Sequence, residues 1–201
     1  MELTGRHLFI DTCIYDAKNY SFDINILDHI SRLAQKKSIH LVSSEIVRQE
    51  VLSHVKNKCQ TTLSALKKFH REAKILRNIE AEPYVSYFNV FNSDSACKDI
   101  ERKMDDFFNI TDTLFVDVND VNPKSIIDDY FKSTPPFSEG NKKAEFPDAF
   151  ILHSLSTWSQ KTGNVVSVVS TDKDMKHFCE KSTILQYCED LLYPVRATQS
   201  K

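Results

Sequence analysis

Val165-Val166-Ser167-Val168-Val169-Ser170-Thr171-Asp172-Lys173-Asp174 is the stretch that decides the fold. Its first five residues are dominated by β-branched valine, and they read as a fully buried strand. Thr171-Asp172 then ends that strand on an acid, and a helix is predicted from about Lys173. The same arrangement opens the chain, where the apolar burst His7-Leu8-Phe9-Ile10 ends on Asp11.

Between these two strand–Asp units the apolar spacing gives a series of helices. Ile24, Ile26, Leu27, Ile30 and Leu33 mark an amphipathic helix over 22–36. Ile39-His40-Leu41-Val42 is a second short strand. Ser43-Ser44 supplies an N-cap for a long helix expected to run to about residue 79. Residues 80–93 are irregular, 94–108 helical, 114–116 a short strand or loop, and 123–131 helical. The segment 133–147, with three prolines and Gly140, reads as a loop. A helix covers 148–158, and a last strand lies around Ile184-Leu185. Strands alternating with helices imply an α/β fold with a mainly parallel sheet. In such sheets ligands bind outside the C-terminal ends of the strands, where Asp11 and Asp172 fall.

The chain has 201 residues, 41% hydrophobic, three glycines and six prolines, which suits a single domain over 1–201 without a flexible linker. No apolar run is long enough to span a membrane, and no secretory leader is expected. The five scattered cysteines form no CxxC pair, so neither a zinc site nor a disulfide framework is suggested, and a reducing cytoplasm fits. A net charge of −2 argues against binding nucleic acid through bulk positive charge. It is compatible with acids that hold cations against a phosphate.

Taken singly, each acid has an ordinary explanation. Asp11 and Asp172 could be turn or cap residues, Glu50 a solvated helix residue, and Asp148 a helix-start residue after Pro147. Glu45 competes with Glu50 but is explained by the helix dipole. Asp174 is within reach of Asp172. Taken together, Asp11, Glu50, Asp148 and Asp172 would converge at one edge of one sheet. Unpaired, such carboxylates repel one another, and hard divalent cations relieve the conflict, with Mg²⁺ or Mn²⁺ the natural choice.

Phe9-Ile10-Asp11-Thr12, Ser44 through Glu50, Pro147-Asp148-Ala149-Phe150-Ile151 and Ser170-Thr171-Asp172-Lys173-Asp174 resemble the motifs of the PIN domain. The segment Lys142-Lys143-Ala144-Glu145-Phe146-Pro147-Asp148-Ala149 is similar to a less-studied PIN-like branch seen in bacteria. The resemblance implies a three-layer α/β/α fold with a mainly parallel central sheet, and a helical insertion at about 80–140. It departs from the family pattern at Cys13, where many members carry Asn or another small polar residue.

The activity implied is metal-dependent phosphodiester hydrolysis, most often of RNA, leaving 5′-phosphate and 3′-hydroxyl ends. Asp11, Glu50, Asp148 and Asp172 would be catalytic, and with Asp174 would hold the metal. Thr171 is expected to support them by holding Asp11 or a bound water, and Glu145 either joins the site or serves the helix start. Lys67, Arg71 and Lys74, with Arg77, and Lys142 with Lys143 are candidate phosphate contacts; an ordinary solvated face is the competing explanation. Tyr84, Tyr87, Phe88 and Phe91 could stack on bases or pack against protein. His153 reads as a helix-face residue.

The resemblance leaves open a toxin or defence role with an inhibitor or antitoxin partner, and a homodimer. Competing readings are a non-catalytic scaffold that binds RNA or protein, a structure-specific DNA nuclease, and a haloacid-dehalogenase-like phosphatase. The last needs an acid two residues after Asp11, where Cys13 stands.

Overall fold

The computed structural model describes residues 6–89, 91–137 and 143–192. Among these, five strands and seven α-helices alternate in the order β1 (His7–Ile10), α1 (Thr12–Ala17), α2 (Asn25–Gln35), β2 (His40–Ser44), α3 (Glu45–Glu72), α4 (Ser93–Ile110), β3 (Leu114–Val116), α5 (Pro123–Lys132), α6 (Phe146–Thr162), β4 (Val166–Val169), α7 (Lys173–Glu180) and β5 (Leu185–Cys188).

The strands form one sheet in the order β3-β2-β1-β4-β5, and every pairing is parallel. The chain winds from β1 outward to β3, crosses back over the sheet, and continues from β4 to β5. The direction therefore reverses between β1 and β4, the crevice where such sheets hold ligands. Helices α1 to α4 pack among themselves, as do α5 to α7, and α6 lies against β3 and β5. Right-handed crossovers on either side of a reversal place the two sets on opposite faces, which gives three layers.

Burial on both faces explains the strand sequences. Phe9, Val42, Val166, Val168 and Val169 are at most 1% exposed, with Ile14, Leu27, Ile30, Val47, Ile151 and Leu155 covering them. A smaller cluster of Val121, Ile126, Phe137 and Ala149 lies apart from this core, with Tyr130, Phe146 and Phe150 packed against it. It binds α5 and the loop after it to the first turn of α6, so the segment expected to be only a loop carries a fully buried aromatic, Phe137. At its other end α6 stops at Gly163: its N–H makes the last helical bond, to the Ser159 carbonyl, and its left-handed φ of +71° turns the chain out of the helix.

One expectation is corrected. The helix after β2 ends at Glu72 rather than near 79; Ala73 caps it and a 3-10 turn follows over Lys74–Asn78. The chain thereby folds back, so that Phe88 stacks on Phe69 and His70. Residues 80–140 carry α4 and α5, and 114–116, read as a short strand or loop, form β3, which extends the sheet beside β2. No helix among the described residues is long and apolar enough to cross a membrane.

Candidate active site

The register of the central strands assembles the site. Ile10 pairs with Val169, so the next residues, Asp11 and Ser170, leave the sheet side by side, and the Asp11 N–H donates to the Val169 carbonyl at 3.0 Å. The Ser170 hydroxyl donates to Asp11 Oδ2 at 2.7 Å and accepts the Asp172 N–H at 2.9 Å. One fully buried hydroxyl thus joins the acids of the two strand ends.

Both acids also cap helices. Asp11 Oδ1 accepts the Thr12 N–H at 2.7 Å at the start of α1. Asp172 Oδ1 accepts the N–H groups of Asp174 and Met175 at 2.7 and 2.9 Å at the start of α7. Capping does not exhaust them: Asp172 has a second oxygen, and Asp11 is 5% exposed and oriented by Ser170.

Glu50 arrives from α3. Thr12 donates its hydroxyl to Glu50 Oε2 at 2.7 Å across 38 residues of sequence. The competing Glu45 is exposed and turns away, bonded to Gln49 at 2.8 Å and paired with Arg48 at 3.6 Å. Arg48 in turn ties α3 to α4 through bonds of 2.9 and 3.2 Å to the two Asp105 oxygens.

Asp148 enters in the first turn of α6. Burial, then the charges of Asp11, Glu50, Glu145 and Asp172, push its carboxyl up to about 8. Burial and the Asp11 charge also raise Glu50, against the opposing Thr12 hydrogen bond. Glu145 stands at the N-cap of α6 but makes no capping bond. Its carboxyl is raised by burial and by the charges of Asp172 and Asp174, against the opposing effect of a hydrogen bond with Asp148. Of the two explanations for Glu145, its surroundings favour membership of the acid cluster.

These acids thus lie within electrostatic reach of one another, from α1's cap, α3, α6 and α7's cap. Among the described residues, no three His, Cys, Asp or Glu side chains close into a finished metal-binding group. The donor set is nevertheless all oxygen and heavily anionic, and burial together with mutual repulsion keeps Asp148 protonated well above the usual carboxylate range. Those properties fit a hard divalent cation, which would replace the proton.

Thr171 is placed differently from expectation. Its hydroxyl and its N–H point to Cys13 Sγ, at 3.3 and 3.4 Å, and Ser170 holds Asp11 instead. Alternation along the extended chain is the reason: Ser170 points inward and Thr171 outward, where it is exposed. Ser170 and Thr12 were missed as supports. The available signal was a hydroxyl residue adjoining each strand-end acid. Burial and the Asp11 charge push the Cys13 thiol up, so it stays a neutral neighbour of the acids.

The cationic candidates on and after α3 lie apart from the acids. Lys67, Arg71 and Lys74 are exposed on the distal part of α3 and the turn after it, and 17 residues of helix separate Lys67 from Glu50, about 26 Å of rise. Lys143 is exposed before α6, and Lys142 lies outside the described residues. His153 turns to α5, with Nε2 2.9 Å from Asp129 Oδ2 and Nδ1 3.5 Å from Ser125 Oγ.

A sequence model of the PIN domain matches residues 8–175, which spans β1 through the first turn of α7 and includes every acid of the cluster. The chain belongs to the PIN domain family. PIN domains are generally metal-dependent nucleases that use divalent ions, and the all-parallel sheet between two helical layers is the architecture expected of one. Compared with curated proteins and with solved structures, the chain finds no match.

Proposed function

We propose that this PIN domain is a divalent-metal-dependent phosphodiesterase that cuts RNA internally, in preference to DNA, leaving 5′-phosphate and 3′-hydroxyl ends. The observation that carries this reading is the convergence of acids from separate elements on the β1–β4 crevice, linked through Ser170 and Thr12. Asp11, Glu50, Asp148 and Asp172 would hold Mg²⁺ or Mn²⁺, with Asp174 and Glu145 beside them. A bound ion of this kind lowers the pKa of the attacking water and offsets charge on the leaving oxygen.

The residues of the chain divide the remaining work. Ser170 fixes the Asp11 carboxylate with one oxygen turned away from the α1 cap. Thr12 holds Glu50, the acid on the longest lever. Asp148 and Glu145 share a proton that stabilises the cluster while no cation is present, and release of that proton makes room for one. Such chemistry calls for no histidine or cysteine nucleophile: His153 is occupied with α5, and the Cys13 thiol is held neutral.

The test is to incubate end-labelled single-stranded RNA, and the matching DNA, with the protein in EDTA, Mg²⁺ or Mn²⁺, alongside Asp148→Asn. Metal-dependent cleavage of RNA that the variant lacks supports the reading. Cleavage of DNA alone replaces it with a DNA nuclease. Tight, metal-independent RNA binding without cleavage replaces it with a scaffold.

A further inference from the structure

Beyond Cys59 the long helix α3 leaves the core. Between Cys59 and Met104 no described residue is buried. This arm comprises the distal half of α3, the turn at 74–78 and residues 79–89 and 91–92. It is rich in large apolar side chains that reach water: Ile75 is 72% exposed, and Val85 and Tyr87 are each 46% exposed. Leu66, Phe69, Tyr87 and Phe91, with Ser86 and Asn89, line an open groove of about 570 Å³. The groove is built rather than loose. His70 Nε2 lies 2.6 Å from the Tyr87 carbonyl oxygen, Phe88 stacks on His70 at 5.0 Å, and the Arg77 guanidinium covers the outer Phe88 ring at 5.1 Å.

Charge indicates what would fill it. The whole chain carries −2, yet residues 67–77 contain Lys67, Lys68, Arg71, Lys74 and Arg77 against Glu72 alone. Lys67, Lys68, Arg71 and Lys74 are exposed and form no ion pair among the described residues, so five cations meet a single acid along eleven residues of chain. At about 100° per residue, Lys67 and Arg71 occupy the helix face beside Leu66 and His70, so a line of cations borders the aromatic groove. Flat apolar faces beside unpaired cations match single-stranded nucleic acid, whose bases stack while its phosphates are neutralised. An apolar protein partner would fill the groove and leave the cations unneutralised.

We infer that the α3 arm is a docking site for a single-stranded RNA segment, with bases stacked on Tyr87 and its neighbours and phosphates held by Lys67, Arg71 and Lys74. The inference rests on the proposed nuclease reading and names where the substrate is gripped. Phe69 lies 19 residues beyond Glu50 on the same helix, about 28 Å of rise. The arm therefore grips RNA remote from the bond that is cut, and substrates long enough to reach both places gain affinity.

The test measures binding to a fluorescein-labelled single-stranded RNA of mixed sequence by anisotropy. The parent is the full chain carrying Asp148→Asn, so nothing is cut. Added Tyr87→Ala is expected to weaken binding roughly ten-fold, the loss of one stacked base. Added Lys67→Ala with Arg71→Ala is expected to flatten the salt dependence of log K by about 1.4, which is 0.7 for each phosphate no longer neutralised. All three sites are exposed, and circular dichroism checks that the variants fold. Binding and salt slope equal to the parent's overturn the inference, as does loss of self-association in sedimentation with RNA binding intact. Cleavage of a trinucleotide by the unmodified protein is scored separately. It is too short to reach the arm, so its survival or failure judges the nuclease reading alone.

Discussion

Ser170 has two hydrogen bonds that no other side chain duplicates, one to Asp11 Oδ2 and one from the Asp172 N–H. A buried hydroxyl donating to a carboxylate contributes about 1.5–3 kcal/mol, and loss of such a support commonly costs 10–100-fold in metal affinity or activity. Ser170→Ala is therefore expected to lower Mn²⁺ affinity and kcat within that range and to leave KM for RNA little changed. An unchanged Mn²⁺ affinity would show that Ser170 only packs. Asp148 makes a prediction of opposite character. Its folded-state pKa of about 8 lies far above the ordinary carboxylate value near 3.9. The folded chain thus holds this proton more tightly than the unfolded chain does. The group favours folding in acid, and that contribution is lost as pH rises from about 4 towards 8. In EDTA, Asp148→Asn should be more stable than the parent by a few kcal/mol at pH 8, with the advantage vanishing near pH 4. Thermal melts of both proteins across that range measure it, and a pH-independent difference would refute the crowding of acids. This reading of Asp148 was only half visible in the sequence. Its type and its place after Pro147 were legible, but the charges of Glu50 and Glu145 around it depend on packing.

At the scale of elements, each acid is delivered by a piece of backbone whose own stability fixes it. α6 is the clearest case, because its first turn is clamped by Phe137, Tyr130 and Phe146, with ring centroids 5.0–5.5 Å apart. Phe137→Ala opens a cavity in a small, separate cluster, at a cost of about 3–5 kcal/mol. Because that cluster sits beside Asp148, the variant should also bind Mn²⁺ more weakly at a temperature where it remains folded. Calorimetric titration measures this, and parental affinity would mean that α6 is positioned by the main core alone. α1 and α3 meet through Thr12 and Glu50, and Thr12→Val removes the hydroxyl that favours ionised Glu50. Glu50, already raised by burial, should titrate higher still. The acid limb of the cleavage pH profile would then move to higher pH, whereas an unmoved limb would place Glu50 outside the essential set. The sequence showed α6 and α3 through their apolar spacing and missed how the 133–147 segment serves α6. A loop rich in proline carries no periodicity from which burial of one phenylalanine could be read.

The whole molecule gathers acids in one crevice and carries a run of five cations against one acid over residues 67–77, within a chain of net −2. That separation makes cation binding depend on pH. At neutral pH the site holds a proton on Asp148 that a divalent ion must displace, so binding should release close to one proton, with affinity falling as pH drops below about 8. Titration of Mn²⁺ into the protein in buffers of different ionisation enthalpy reads the proton count directly. A heat independent of buffer would contradict the shared-proton account. The same charge division explains why net charge was a poor guide to partners: an average over the chain hides two regions of opposite sign.

What the sequence determined by itself was local. The valine-rich strand before Asp172, the matching burst before Asp11 and the helix spacing between them set the α/β class and marked out the two strand-end acids, because burial on both faces of a parallel strand leaves a continuous apolar signature. Tertiary structure alone decided which hydroxyl serves which acid, since the register Ile10↔Val169 sets Ser170, not Thr171, beside Asp11. It also decided that Glu145 faces the cluster, and that Lys67 and Arg71 lie a long stretch of helix from Glu50. Those are relations between residues far apart in the chain, fixed by strand pairing and helix length rather than by the identity of any neighbour in sequence.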